Sequence, residues 1–173
     1  MSIPTTSRPT IRPAFSNWPA HNQSLLDVVA QLTEEQLALR PAVERWPIWA
    51  TIGHLACQRV FWLCDFAREP GADATPFRNA AYNCPGDDDL DHVLNAEQLV
   101  AALDSTFGIV ENCLNWWTLD SLEEVIDHPE WDGEWARTRG SVIQRVFAHD
   151  IYHVAELNEV LGVAGLPQVD LWD

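Results

Sequence analysis

Four stretches of this 173-residue chain, at 15–32, 48–68, 95–117 and 139–161, carry apolar residues every three or four positions, and each is bounded by proline, glycine or a capping side chain. That period gathers the apolar residues of each stretch on one helical face, which must be buried against another. Pro19 suits the first turn of the first stretch; Pro47 precedes the second, and Pro70 and Gly71 follow it. Thr33 with Gln36, and Asn95 with Gln98, have capping-box spacing and predict a short helical turn and the start of the third long helix. Gly162, Gly165 and Pro167 stop the fourth. No alternating apolar–polar run is long enough to build a sheet. The expected fold is all-α, a four-helix bundle with long crossover connections around one core.

Residues 70–94 hold Pro70, Gly71, Pro76, Pro85, Gly86 and the run Asp87-Asp-Asp-Leu-Asp91, a composition that forbids a long helix or a central strand and predicts a surface crossover. Such a connection permits helices that are not consecutive to become neighbours. Residues 118–137, with Pro129 and Gly133, read as an irregular loop or a short hairpin. Pro4, Pro9 and Pro13 make 1–13 a flexible N-terminal arm, leaving 14–173 as a single bundle domain.

Charge narrows the partners. With 26 acidic residues against 10 arginines and no lysine, a net charge of −16 repels phosphate backbones and anionic lipid, so neither nucleic acid nor a membrane is an expected partner. The start has no apolar signal-peptide core and no apolar run is long enough to span a bilayer, so a cytoplasmic, soluble chain is expected. Cys57, Cys64, Cys84 and Cys113 lack CxxC spacing and read as buried thiols of a reducing compartment, not as nucleophiles. Nine tryptophans mostly serve packing, with Trp49 and neighbouring aromatics a candidate pocket wall.

The chemistry concentrates in histidines. His149 and His153 lie four apart in the fourth helix and so share a face, where two imidazoles can point at one centre as transition-metal ligands do. His54, inside the second helix, is the candidate third ligand; three protein ligands leave positions open for water or substrate. Glu156 continues the same face, where it can accept a ligand histidine's second proton or act as a base on a bound nucleophile. Asp150 faces elsewhere and reads as a surface or supporting acid. His21, His92 and His128 stay outside the ligand set. The same spacing also suits interior histidines bonded to carbonyls or carboxylates, so spacing alone leaves both readings open.

Thr-Ile-Gly-His54-Leu-Ala, His149-Asp-Ile-Tyr-His153-Val-Ala-Glu-Leu and the closing Leu161-Gly-Val-Ala-Gly-Leu-Pro167, in this helix order, resemble the DinB superfamily of four-helix-bundle metalloenzymes over about residues 15–167. The resemblance implies one divalent transition metal on His54, His149 and His153, zinc or nickel foremost, with iron, manganese or cobalt as alternatives. It also implies a low-molecular-weight thiol as a candidate cofactor, since relatives include thiol-dependent transferases and an isomerase that uses a thiol. Where the family often has glutamine, this chain has Glu156, a departure that leaves a fourth metal ligand open as the alternative to an orienting or basic carboxylate. The function so implied is a metal-dependent enzyme that activates a thiol or water for transfer to, or hydrolysis of, a small electrophile; Glu156, by its place on the helix face and not by the resemblance, is the candidate catalytic carboxylate. The alternative is a non-enzymatic, stress-related bundle that binds metal or ligand and acts through a partner or as a homodimer.

Overall fold

The computed structural model describes residues 8–78, 84–87, 90–127 and 137–172. Five α-helices follow in order: α1 (Trp18–Val29), the single turn α2 (Glu34–Leu37), α3 (Ile48–Val60), α4 (Ala96–Trp116) and α5 (Arg139–Val163). Both expected capping boxes form. Thr33 accepts from the Gln36 amide while Gln36 accepts from the Thr33 amide, and Asn95 and Gln98 make the same reciprocal pair at the start of α4. Thr138 caps α5 by accepting from the Ser141 amide.

The second predicted helix, 48–68, is regular only to Val60 and then widens into a π-helical turn, Phe61–Phe66. That turn drops Trp62, Leu63 and Phe66 into the core before Arg68, with φ 61°, ends the run. Residues 118–127 and 137–138 carry a minimal hairpin: β1 (Val125–Ile126) pairs antiparallel with β2 (Arg137–Thr138). Residues 1–7 of the expected arm lie outside the described residues. From Thr10 onward the chain is anchored: Thr10 bridges Thr118, the Ile11 amide donates to the Trp117 carbonyl at 3.0 Å, and Ile11 is buried.

The packing order is not the chain order. α3 lies between α4 and α5, and α1 packs on α4, an arrangement that the crossover between α3 and α4 makes reachable. Apolar faces meet in one core, with Trp18 and Leu25 from α1, Leu55 and Val60 from α3, Leu99 and Leu103 from α4, and Val146 and Leu161 from α5.

One ion pair crosses this core. Arg59 of α3 is 1% exposed and donates to both Asp150 carboxylate oxygens, at 2.8 Å from Nη2 and 3.0 and 3.3 Å from Nε, and to the Leu103 carbonyl of α4 at 3.1 Å. Trp18 Nε1 of α1 donates to the same carboxylate at 2.9 Å. Asp150 is therefore a fully bonded interior acid joining all four long helices, not a surface residue. Its position, four residues after Val146 and four before Val154, places it on the core face of α5.

The cysteines depart from expectation. Cys57 and Cys84 form a disulfide, with Cα atoms 5.6 Å apart. The crossover folds back over α3, a contact that a separation of 27 residues does not announce. Disulfides belong to oxidising environments, so the cysteine argument for a reducing compartment no longer holds. Cys64 and Cys113 remain thiols; burial pushes Cys64 up to about 11 and Cys113 higher still, so neither is a thiolate at neutral pH. Among the described residues no helix is long and apolar enough to cross a membrane.

Candidate metal centre

His54 sits in the middle of α3 and His149 and His153 one turn apart on α5, and the packing of these two helices brings the three rings together. His54 Nε2 is 3.2 Å from His149 Nε2, and His153 Nε2 is 3.0 Å from the same atom. His54 and His153 are buried, and His149 is half-buried.

The far nitrogens are held by carboxylates. His153 Nδ1 lies 2.8 Å from Glu156 Oε2 one turn along α5, and His54 Nδ1 lies 3.2 Å from Asp87 Oδ2 in the crossover. A carboxylate at Nδ1 fixes the tautomer with its proton there and leaves the Nε2 lone pair facing inward. Three Nε2 atoms then converge with too few protons to satisfy them as hydrogen-bond partners. A cation at their focus satisfies all three. Nitrogen ligands about 2.0–2.1 Å from a tetrahedral ion stand about 3.3 Å from one another, close to the spacings observed. These residues could hold a divalent transition metal.

The titration behaviour fits that role. Burial first, then the adjacent His153 and His54, push His149 from 6.5 down to about 3, with Arg145 and Arg59 contributing. His149 is neutral at physiological pH, as a ligand must be. In the metal-free protein the unfolded chain takes up this proton near pH 6.5 and the folded chain only near 3. Stability is therefore full above 6.5 and falls as pH drops through that window. Thermal melts of metal-free protein should show this decline, and His149→Gln should flatten it; an unchanged slope in the variant would contradict the depressed value.

Asp87 reaches His54 through a local device. Gly86 has φ +90°, and a Cβ there would stand 3.0 Å from two ring carbons of Trp46. Gly53, the residue before His54, likewise leaves room for Pro85, whose ring would be 3.1 Å from an added Cβ. Two glycines thus let the Cys84-Pro-Gly-Asp87 turn lie against α3 and Trp46. The disulfide ties down its first residue, and Cys84 Sγ is 3.6 Å from His54 Nδ1.

Beside the centre a groove of about 460 Å³ is lined by Arg45, Trp46, Thr51, Tyr152, His153 and Glu156, among others. Trp46 is its aromatic wall, with its ring centroid 4.9 Å from that of His54 and stacked at 6.4 Å over His153. The expected wall residue, Trp49, is instead in the core at 3% exposure. The neighbouring Glu156 carboxylate raises the exposed Tyr152 phenol above its ordinary range.

All three predicted ligands are brought together, and Glu156 stands behind one of them. His92 is exposed and His21 lies on α1, both outside the cluster, while His128 lies outside the described residues. Asp87 escaped sequence reasoning: an aspartate in an acidic, proline-bearing run carries no signal of contact with a helix 33 residues earlier.

Residues 18–157 match the family model of the DinB superfamily. The chain belongs to the DinB superfamily. Among solved structures, a DinB-like protein from Bacillus cereus ATCC 10987 is similar at TM-score 0.65 and 17% identity, over 95% of this chain and 98% of that one. A DinB-like protein, YjoA, from Bacillus subtilis is similar at TM-score 0.59 and 15% identity, over 90% and 94% of the two chains. At these identities the likeness concerns the DinB fold. No curated protein matches the chain.

Proposed function

We propose that this DinB protein is a metal-dependent enzyme that activates a thiol or water for attack on a small electrophile. The observation that carries the reading is the convergence of three Nε2 atoms, two of them oriented by carboxylates, beside an aromatic-walled groove. When bound, a divalent ion, zinc or nickel foremost, supplies Lewis acidity that lowers the pKa of a thiol or water. His54, His149 and His153 would hold it. Asp87 and Glu156 keep His54 and His153 in the ligating tautomer, and Trp46 with Thr51 and Arg45 bounds the space for a small-molecule substrate. Glu156 also lines the groove, so the carboxylate that orients His153 is placed to take the nucleophile's proton.

Protein purified without a histidine tag should contain, or take up, one equivalent of zinc, nickel, manganese or iron. The loaded protein should then turn over epoxides, quinones or halogenated electrophiles with a small thiol. Glu156→Gln preserves a hydrogen-bond acceptor for His153 but removes the proton acceptor; it should retain metal and lose turnover by about 10²–10⁴-fold. Metal uptake without any turnover would favour a non-enzymatic metal-binding bundle. Absence of uptake would sink the reading.

A further inference from the structure

His54 belongs to a second group of metal-ligating atoms, at the nitrogen of its ring that does not face His149. Its Nδ1, Cys84 Sγ and an Asp87 carboxylate oxygen all lie within 4.8 Å of one another. Asp87 Oδ2 is 3.2 Å from Nδ1, and Cys84 Sγ is 3.6 Å from it. A tetrahedral ion with nitrogen and oxygen at about 2.0–2.2 Å and sulfur at about 2.3 Å holds its nitrogen about 3.4 Å from the oxygen and about 3.6 Å from the sulfur. The observed spacings match those of a ligand set.

The chain pattern supplies a fourth donor. Cys57 is bonded to Cys84 and lies one turn beyond His54 on α3. His54-x-x-Cys57 on the helix and Cys84-x-x-Asp87 in the crossover are two pairs with the short ligand spacing of structural zinc sites, and the fold sets them against each other. Gln58 Nε2 donates to Cys84 Sγ at 3.5 Å, and Trp62 Nε1 holds that amide in this sense by donating to Gln58 Oε1 at 3.1 Å. An N–H aimed at a sulfur suits a thiolate ligand. His54, Cys57 and Cys84 are buried, while the Asp87 side chain is 48% exposed and opens the group to solvent.

We propose that, with the disulfide reduced, His54, Cys57, Cys84 and Asp87 form a second, closed site for a divalent transition metal, so that the thiol oxidation state decides which nitrogen of His54 carries the ion. A dithiol opens the Cys57–Cys84 bond by exchange, giving up two electrons and two protons and becoming a disulfide itself; metal binding then expels the two thiol protons to solvent. While the disulfide is intact, neither sulfur is a thiolate and the three-histidine set is the one on offer. Once it is open, two thiolates and a carboxylate bring three negative charges, against none from three neutral imidazoles, and thiolate is the softer donor. A neutral imidazole ligates through one nitrogen. With the ion at Nδ1, the ring's proton stands on Nε2 and is donated to His149 Nε2, 3.2 Å away, which takes His54 out of the other set. Four protein ligands close the coordination sphere that three leave open, so the reduced protein holds its metal with no position for a substrate. This second site does not depend on the three-histidine centre being the reactive one.

Cobalt reports the difference, because sulfur ligation adds charge-transfer absorption in the near ultraviolet. The metal-free full-length protein is titrated with cobalt twice, once with the disulfide intact and once after reduction by a phosphine that is then removed under nitrogen. One equivalent in each state is expected, with sulfur bands only in the reduced protein; Cys64 and Cys113 are thiols in both and set the baseline. His149→Ala should lose uptake in the oxidised state and keep one equivalent, with its sulfur bands, in the reduced state. Cys84→Ser should do the reverse, binding one equivalent without those bands whether or not it was treated with phosphine. Absence of sulfur bands from the reduced parent, their loss in His149→Ala, or two equivalents in the reduced parent would overturn the proposal. Failure of the oxidised parent to take up cobalt defeats the three-histidine centre instead, and leaves the reduced-state result standing.

Discussion

Replacing Asp150 with alanine is expected to cost about 3–5 kcal/mol of folding stability, because it leaves the Arg59 guanidinium inside the bundle without its counter-charge. Arg59 is 1% exposed and Asp150 4%, so water cannot take the place of the missing carboxylate. The loss extends beyond the pair: Trp18 Nε1 loses its acceptor too, and α1 and α5 lose their polar link. For a chain of this size the change corresponds to a fall in Tm of about 6–20 °C. A double replacement, Arg59→Met with Asp150→Leu, removes both charges and should recover most of the loss, since an apolar pair of similar volume has no desolvation penalty to offset. Urea denaturation of the three proteins checks this. A single variant within about 1 kcal/mol of the parent would show that Arg59 finds another partner or reaches solvent.

That ion pair marks where sequence reasoning stopped. The helices were legible because apolar period and end signals agree: the Asn95–Gln98 capping box opens α4, and Gly162 and Gly165 sit at and beyond the end of α5. His149 and His153 were legible because helical geometry turns a spacing of four into adjacency, and His54 because it lies among apolar residues of a helix that had to be buried. Asp150 occupies a core-face position by the same period, but its charge argued for the surface, and only the facing arginine on α3 reverses that argument. The link between Asp87 and His54 depends on how a proline- and glycine-bearing crossover folds back, which neither periodicity nor propensity encodes. The Cys57–Cys84 disulfide is of the same kind: its partners lie on a helix and in that crossover, and nothing in their spacing pairs them.

His153→Ala should abolish stoichiometric metal binding while leaving the metal-free protein within about 1 kcal/mol of the parent. The two halves of this expectation have one cause. In the metal-free parent, His153 Nε2 stands 3.0 Å from His149 Nε2 and His54 Nε2 3.2 Å from it, an arrangement in which three Nε2 atoms, with at most one proton among them, oppose one another across a largely buried site. Removing one imidazole deletes packing against Trp46 but also relieves that opposition, so the two effects offset. With metal the balance inverts. A ligand present at about 100 times its Kd stabilises the folded state by about 2.7 kcal/mol, so zinc or nickel should raise the parent's Tm and leave the variant's unmoved. An ordinary interior histidine predicts the reverse pattern, a destabilised variant and a parent indifferent to metal. Elemental analysis after dialysis, paired with thermal melts with and without added metal, distinguishes the two outcomes, and one equivalent of metal retained by His153→Ala would remove that residue from the ligand set.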